Sequence, residues 1–500
     1  MSFGPPPSMY THSVLAADQS RKRRRRRIVG AVAAVVAAGV CLSAGLFWYH
    51  SADRTQGRTG AKAVEQAPDT VRQTVEKPPV SPEGQVVVQH NEGGFTGNEQ
   101  RVAPATWATS KIVARALADR IEGYEIEPDP DSDAKAWTLQ LGGHICAVSR
   151  DVTADNRTAV VVTPGHVNVT SPLDSGCDEV IMVDLDTGKK LWQGKIPAAD
   201  DATLNGTDIA LTRGVVAIAW EDGSAAYAMD GGKRLWSTSG TSQCHDSAYA
   251  GGAALLALVK CGDSSAPTYR VEKVEPRTGK VLWRYSVSDG LRSIYLPSAD
   301  PPVIAAEAGE YQVTDLITLD PKSGERLATI SLDGYDPKCG GNVELFFDAV
   351  DRCYGMVVGR DRVFVMSKDT ADVTTKPENQ ITAFDVKKGT AVAKFEGRLF
   401  QRVVPVRMNG DDLIIFRSTS DDVQPAAVVD WNPRTDKETP YLLFHLPSDD
   451  EGELGEPDMS DILYEQGHAF FARRVLERDT SHPKDPVLSV LGVGTAGLKH

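Results

Sequence analysis

The sequence predicts an all-β ring of radially arranged four-stranded sheets, a β-propeller, preceded by one N-terminal transmembrane helix. Three observations predict it. A glycine-turned hairpin motif recurs about every 45 residues, short apolar runs alternate with turn signals, and helical periodicity is sparse after residue 135.

The hairpin motif reads DLDTGKKLW at Asp184–Trp192, DGGKRLW at Asp230–Trp236 and EPRTGKVLW at Glu275–Trp283. It continues as DPKSGERL at Asp320–Leu327, DVKKGTAV at Asp385–Val392 and DWNPRTDK at Asp430–Lys437. Gly188, Gly232, Gly279, Gly324 and Gly389 are separated by 44, 47, 45 and 65 residues, and Asp436 stands at the sixth turn 47 residues later. A period in the forties is that of one propeller blade. Each copy has the same grammar. An apolar run such as Val180–Val183 or Leu316–Leu319 ends in an acid, whose carboxylate can bond the backbone of the coming turn. A glycine supplies the positive φ of a tight hairpin, and a Lys-rich strand follows. The motif is therefore read as the hairpin between the third and outermost strands of a blade. Trp192, Trp236 and Trp283 are read as packing residues that cover the gap to the neighbouring blade, not as a cofactor platform. Ile209–Thr212 and Val215–Trp220, flanking Arg213-Gly214, read as inner strands, and Ala254–Val259, Val363–Met366, Leu413–Phe416 and Ala469–Ala472 as central strands.

The acid–x–x–Thr–Gly–Lys–x–Leu–Trp pattern resembles the pyrroloquinoline-quinone (PQQ)-like β-propeller repeat. Quinoprotein alcohol dehydrogenases carry that repeat, and so does the quinone-free propeller lipoprotein of the outer-membrane β-barrel assembly machinery. The resemblance covers roughly Ala134 to the C-terminus; it is strong in copies one and three and weak in two and six. It implies a non-catalytic, membrane-anchored member, with a quinone-dependent oxidoreductase as the enzyme alternative. The dehydrogenases typically have eight blades, calcium and a disulfide between adjacent cysteines; this chain has no Cys-Cys dipeptide.

Six motifs are visible. Ile462–Tyr464, Gly467–Val475 and Pro486–Val493 supply three further strands, and Ala136–Leu141 (AWTLQL) resembles an outer strand that could complete their blade. Closing the ring by joining the two ends of a domain removes exposed sheet edges. The expected count is seven blades, or eight if the 65-residue unit hides an extra sheet.

Upstream, Ile28–Tyr49 holds no charged residue and rises about 33 Å as a helix, enough to cross a hydrocarbon core. Arg21–Arg27, all seven basic, precede it and keep the N-terminus cytoplasmic. A cleaved signal peptide is the rival reading, disfavoured by the long leader and long apolar run. Residues 1–27 are thus a cytoplasmic tail, 28–49 the span, 50–134 a flexible stalk and 135–500 the propeller. Trp107–Ile121 has apolar residues at helical spacing and is expected as a short helix. Asp129, Asp131 and Asp133 lack the Gly and Glu of a calcium loop.

Removing the seven bases and the one acid, Asp18, of residues 1–50 from totals of 54 and 68 leaves 47 bases against 67 acids, a net of −20. An acidic ectodomain argues against nucleic acid as a partner. Cys41 lies in the span. The other six cysteines are expected as sequence-neighbour disulfides Cys146/Cys177, Cys244/Cys261 and Cys339/Cys353, among fifteen combinations.

HExxH, GxSxG, P-loop and GxGxxG motifs are absent, as is CxxC, so no catalytic, metal or cofactor residue is assigned. His245-Asp246 and the acidic run Asp449–Glu456 read as surface. The expected function is a binding or assembly scaffold for an extracytoplasmic protein or cell-envelope ligand, or else a sensor acting through a separate partner. Asp151–Asp178 and Lys368–Gln380 are the candidate contact loops, and Asn156, Asn168 and Asn205 stand in glycosylation sequons.

Overall fold

The computed structural model describes residues 66–495, except for segments 73–77, 97–98, 129–133, 165–175, 198–205, 221–222, 240–242, 263–266, 309–311, 341–348, 371–375, 419–423, 448–450 and 479–485. Residues 28–49 and Cys41 lie outside it, so the expected span is not among the described residues. No helix of the described residues is long and apolar enough to cross a membrane.

Eight four-stranded antiparallel sheets form the fold, not seven. Blade 1 is Ala105–Ala108, Ile112–Leu117, Arg120–Glu125 and Lys135–Gln140, written from the innermost strand outwards. Blade 2 is Ile145–Val148, Arg157–Val162, Glu179–Asp184 and Lys189–Lys195. Blades 3 to 7 repeat this meander, beginning at Asp208, Cys244, Ser293, Met356 and Val403. Blade 8 takes Ser460–Glu465, His468–Arg473 and Val487–Gly494 from the C-terminal end and its outer strand, Gln85–Glu92, from the N-terminal end. In each meander the first-to-second and third-to-outer connections lie at one end of the blade, and the remaining connections lie at the other.

The core is divided into slabs between neighbouring sheets. Eight apolar clusters lie one at each blade junction: Val161 with Ile218 joins blades 2 and 3, Phe416 with Phe471 blades 7 and 8. Val88, Val113, Tyr124 and Phe470 join blade 8 to blade 1 and complete the circle. Because both faces of the inner strands are covered, Ile112–Leu117 is buried at every position. Such a run loses its period-2 alternation.

That burial explains two corrections. Trp107–Ile121 forms strands, not a helix: its apolar spacing fitted a helical period because every residue of Ile112–Leu117 is buried, not one face. Lys135–Gln140 does not complete the last blade; it pairs with Arg120–Glu125 as the outer strand of blade 1, and Gln85–Glu92 closes the ring instead. The extra blade precedes the visible repeats and is not hidden in the 65-residue unit. That unit contains a long connection, Leu332–Gly355, between blades 5 and 6.

The turn glycines are fixed by their neighbours. Gly188, Gly232, Gly279 and Gly324 have φ between +65° and +74°. A Cβ on Gly188 would lie 2.3 Å from the Trp137 ring, on Gly232 2.6 Å from Trp192, on Gly279 3.0 Å from Trp236 and on Gly324 2.6 Å from Trp283. Each tryptophan thus comes from the outer strand of one blade and lies on the hairpin of the next. Trp192, Trp236 and Trp283 also donate Nε1–H to the carbonyls of Met229, Pro276 and Pro321 at 2.7, 2.8 and 3.2 Å. At Gly389 the neighbour is Ala328, and the next junction is filled from the other side by Trp431 against Phe364 and Phe395.

Gly324→Ala should destabilise the ring by roughly 2–4 kcal/mol, adding displacement of Trp283 to the cost of a left-handed backbone. Gly334, with φ +80° and nothing within 4 Å of its missing Cβ, supplies the control. Gly334→Ala should cost about 1 kcal/mol. Equal losses in urea melts of the two variants would rule out the tryptophan contact as a stabilising term.

Candidate functional site

The innermost strands surround a central channel of about 1190 Å³. Its wall alternates apolar positions (Leu296, Val358, Val406, Ile462) with charged ones (Arg150, Asp151, Arg407, Glu465).

The Leu332–Gly355 connection crosses this channel. It leaves blade 5, and its far limb reaches the opposite side of the ring. Arg352 Nη2 donates to Pro104 O at 2.7 Å beside blade 1, and Arg150 of blade 2 donates to Asp351 O. The Arg474 guanidinium of blade 8 lies 3.3 Å from the Tyr354 ring centroid, and Lys338 pairs with Asp458 at 2.6 Å. Leu296 N donates to Val350 O at 2.7 Å. Cys339–Cys353 closes the strap at its base.

The strap brings Asp351 near two carboxylates, Asp208, which is buried, and Asp151, which is half-buried. Burial, then the Asp351 charge, raises Asp151 and Asp208 to about 7. Asp208 also accepts the Tyr249 backbone N–H at 2.8 Å. Of the channel-lining arginines, Arg72, Arg150, Arg352 and Arg407 are engaged, and Arg360 is exposed. Arg72 donates to Ala108 O and Asn156 Oδ1, Arg407 pairs with Glu465, and Arg474 pairs with Asp461 at 2.9 Å.

The other two disulfides form as expected. Cys146–Cys177 ties the inner strand of blade 2 to the chain just before its third strand, and Cys244–Cys261 is a cross-strand pair in blade 4. Asp246 accepts hydrogen bonds from Ser224 Oγ and Tyr249 OH at 2.7 Å each, which makes it a structural acceptor between blades 3 and 4. Of the acidic run, Glu451–Leu454 forms one helical turn and Glu456 pairs with Arg402. Arg402 also gathers Asp369 and Glu378 from the Lys368–Gln380 loop. In Asp151–Asp178, Asp151 lines the channel while residues 165–175 fall outside the described residues. Asn156 turns its side chain to Asp186 at 2.9 Å; Asn168 and Asn205 are not described.

Among the described residues one His/Glu cluster has metal-like spacing: His90, Glu92 and Glu122, at the junction of the closing strand with blade 1. Arg101 and Arg120 already pair with Glu92, and Arg120 and Lys135 with Glu122, at 2.9–3.1 Å. Three cations leave this cluster a poor cation site. It is an ion-pair network that fastens the closing strand. Reading the sequence missed it, along with the strap, because its members lie far apart in the chain; the 65-residue glycine spacing was the strap's signal.

A raised carboxyl pKa sets a sign. The folded state holds protons on Asp151 and Asp208 at pH values where the unfolded chain has lost them. Stability therefore falls as pH rises from about 4 to about 7, and this penalty is absent below 4. For Asp208, 5% exposed, the difference is worth up to about 4 kcal/mol. Asp208→Asn should flatten the fall in Tm between pH 5 and pH 8; an unchanged slope would show that Asp208 ionises freely in the folded chain.

A family model described as "Outer membrane protein assembly factor BamB" matches residues 126–293 and 176–435, together 310 of the 500 residues. No curated protein matches the sequence. Among solved structures, BamB from Moraxella catarrhalis is 11% identical over 81% of this chain and 99% of its own, with a TM-score of 0.39. A europium-containing methanol dehydrogenase is 10% identical over 82% of this chain and 93% of its own, TM-score 0.44. A quinohemoprotein alcohol dehydrogenase from Pseudomonas putida HK5 is 12% identical over 86% and 79%, TM-score 0.47. The family model alone covers well over half of the chain, and with its repeats the chain belongs to the PQQ-like β-propeller repeat family.

Proposed function

We propose that this protein is a membrane-tethered, extracytoplasmic scaffold that binds proteins or cell-envelope ligands, and that it does not oxidise alcohols. The observation that carries this reading is the strap across the channel. A quinone cofactor is a flat, multiply charged acid and needs cationic side chains free to receive it. Inside the channel Arg72, Arg150, Arg352 and Arg407 all donate to protein oxygens or carboxylates, and the exposed cations Arg360 and Lys387 stand in turns at its hairpin-end mouth. The residues present do not fit the quinone. A rigid ring with connections on two faces suits docking instead. The tether is the uncharged run Ile28–Tyr49 behind Arg21–Arg27.

Three measurements test the reading. The full chain should stay with membranes through alkaline carbonate, and a chain lacking residues 1–49 should not. Titration with PQQ and calcium should give no saturable absorbance change and no dye reduction with alcohols. Proximity labelling from the C-terminus should recover a reproducible envelope partner. Stoichiometric quinone binding with turnover would replace the scaffold with an enzyme.

A further inference from the structure

We propose that the end of the ring carrying the third-to-outer hairpins is a docking surface for anionic lipid, so that the propeller lies with this face against the membrane. The proposal rests on the tether reading above and adds which face meets the bilayer.

The hairpins themselves create the charge. Their acids are turned onto the backbone: Asp184 Oδ1 accepts from Asp186 N and Thr187 N, Asp320 Oδ1 from Lys322 N and Ser323 N, Asp385 Oδ1 from Lys387 N and Lys388 N, all at 2.9–3.1 Å. The bases of this face are open to solvent. Lys233, Arg277, Lys322, Lys387 and Lys388 on the hairpins of blades 3 to 6, and Arg360 in the first turn of blade 6, are all exposed. Acids share the face: Asp230 is held by Arg157 and Asp361 by Arg362 and Arg434, Asp69, Glu275, Asp300 and Glu325 stand among these four blades as well, and Asp320 and Asp385 keep their charge while bonding the backbone. Blade 7, with Asp411, Asp412 and Asp436, lies outside the basic sector.

Apolar residues accompany the bases. Leu191, Leu282 and Val392 each stand three residues after a turn glycine and are 45%, 53% and 49% exposed. Three residues of strand put them roughly 10 Å from the hairpin tip, the depth at which an interfacial surface mixes basic and aliphatic groups.

Asp69 and Val71 also lie at this end. Asp69 O accepts from Gly214 N, in the first turn of blade 3, and Val71 bridges to Thr153, in the first turn of blade 2. Between Tyr49 and Gln66 stand residues 50–65, sixteen residues that span at most about 55 Å. Each base near an anionic surface is worth a factor of about five in affinity, and the attraction fades within a Debye length.

The test uses the full chain with Cys41→Ala, reconstituted in phosphatidylcholine vesicles with or without phosphatidylglycerol, the lipid headgroups carrying a quencher. A fluorophore is placed at Arg277→Cys, on the hairpin face, or at Asp289→Cys, on the opposite face. The Arg277 position should be quenched several-fold more than the Asp289 position in anionic vesicles. High salt, neutral lipid, or the Lys322→Glu/Lys387→Glu/Lys388→Glu variant should remove the difference, with the melting curve showing that the variant is folded. Chain extracted by carbonate overturns the tether and this docking with it. Chain that is retained but quenched equally at both positions, or more at Asp289, or equally in neutral lipid, overturns the docking alone, as would a lipid-free dimer that protects these hairpins.

Discussion

The structure depends on burial between sheets, because no blade of this chain has a core of its own. A single twisted sheet has two faces, and here the second strand of each blade is buried on both. Val160 and Val161 are adjacent and both fully buried, one toward blade 1 and the other toward blade 3. A sheet of this kind is stable only with a sheet on either side, and a row of such sheets satisfies its ends only by becoming a ring. The Val88–Phe470–Tyr124 slab is where the two ends of the row meet. The closing strand Gln85–Glu92 matters for the same reason: it completes blade 8 and covers an edge that would otherwise be open.

Much of this is legible in the sequence, and the residues show where legibility stops. The hairpins are readable because a positive-φ glycine, a capping acid and a tryptophan sit at fixed spacing; Gly188 and Trp192 could be placed from that pattern. Even the departures are physical: Asp436 holds the left-handed conformation at φ +55° where the other copies use glycine. Blade 1 was not legible, because its third-to-outer connection, Ile126–Ala134, carries Pro128 and Pro130 in place of the Thr-Gly turn. Its second strand, buried on all sides, reads like any short apolar segment. The ring was therefore counted one blade short, and its closing strand was placed in a segment that has the right pattern but a nearer partner.

The channel was less legible than the fold. Cysteine order gave three pairings that the structure contains, since each pair is close in sequence and lies within one blade or one connection. That one of those connections crosses the ring, and brings Asp351 near Asp151 and Asp208, follows from closure of the ring and from no local pattern. The same closure separates the two ends of the blades chemically. One end collects the repeat hairpins with their outward lysines, and the other collects the long connections, including the strap. A repeated strand grammar thus yields a two-sided object, with its charge distributed by topology.

The claim on which all of this turns is that the N-terminal segment Gln85–Glu92 is part of the ring. Hydrogen exchange of the full chain, read by mass spectrometry at peptide resolution, tests it most directly. The amides of residues 85–92 should exchange as slowly as those of Val487–Gly494, their partner strand. Exchange at the rate of free chain in residues 85–92, with the rest of the propeller still protected, would mean that the ring closes without them.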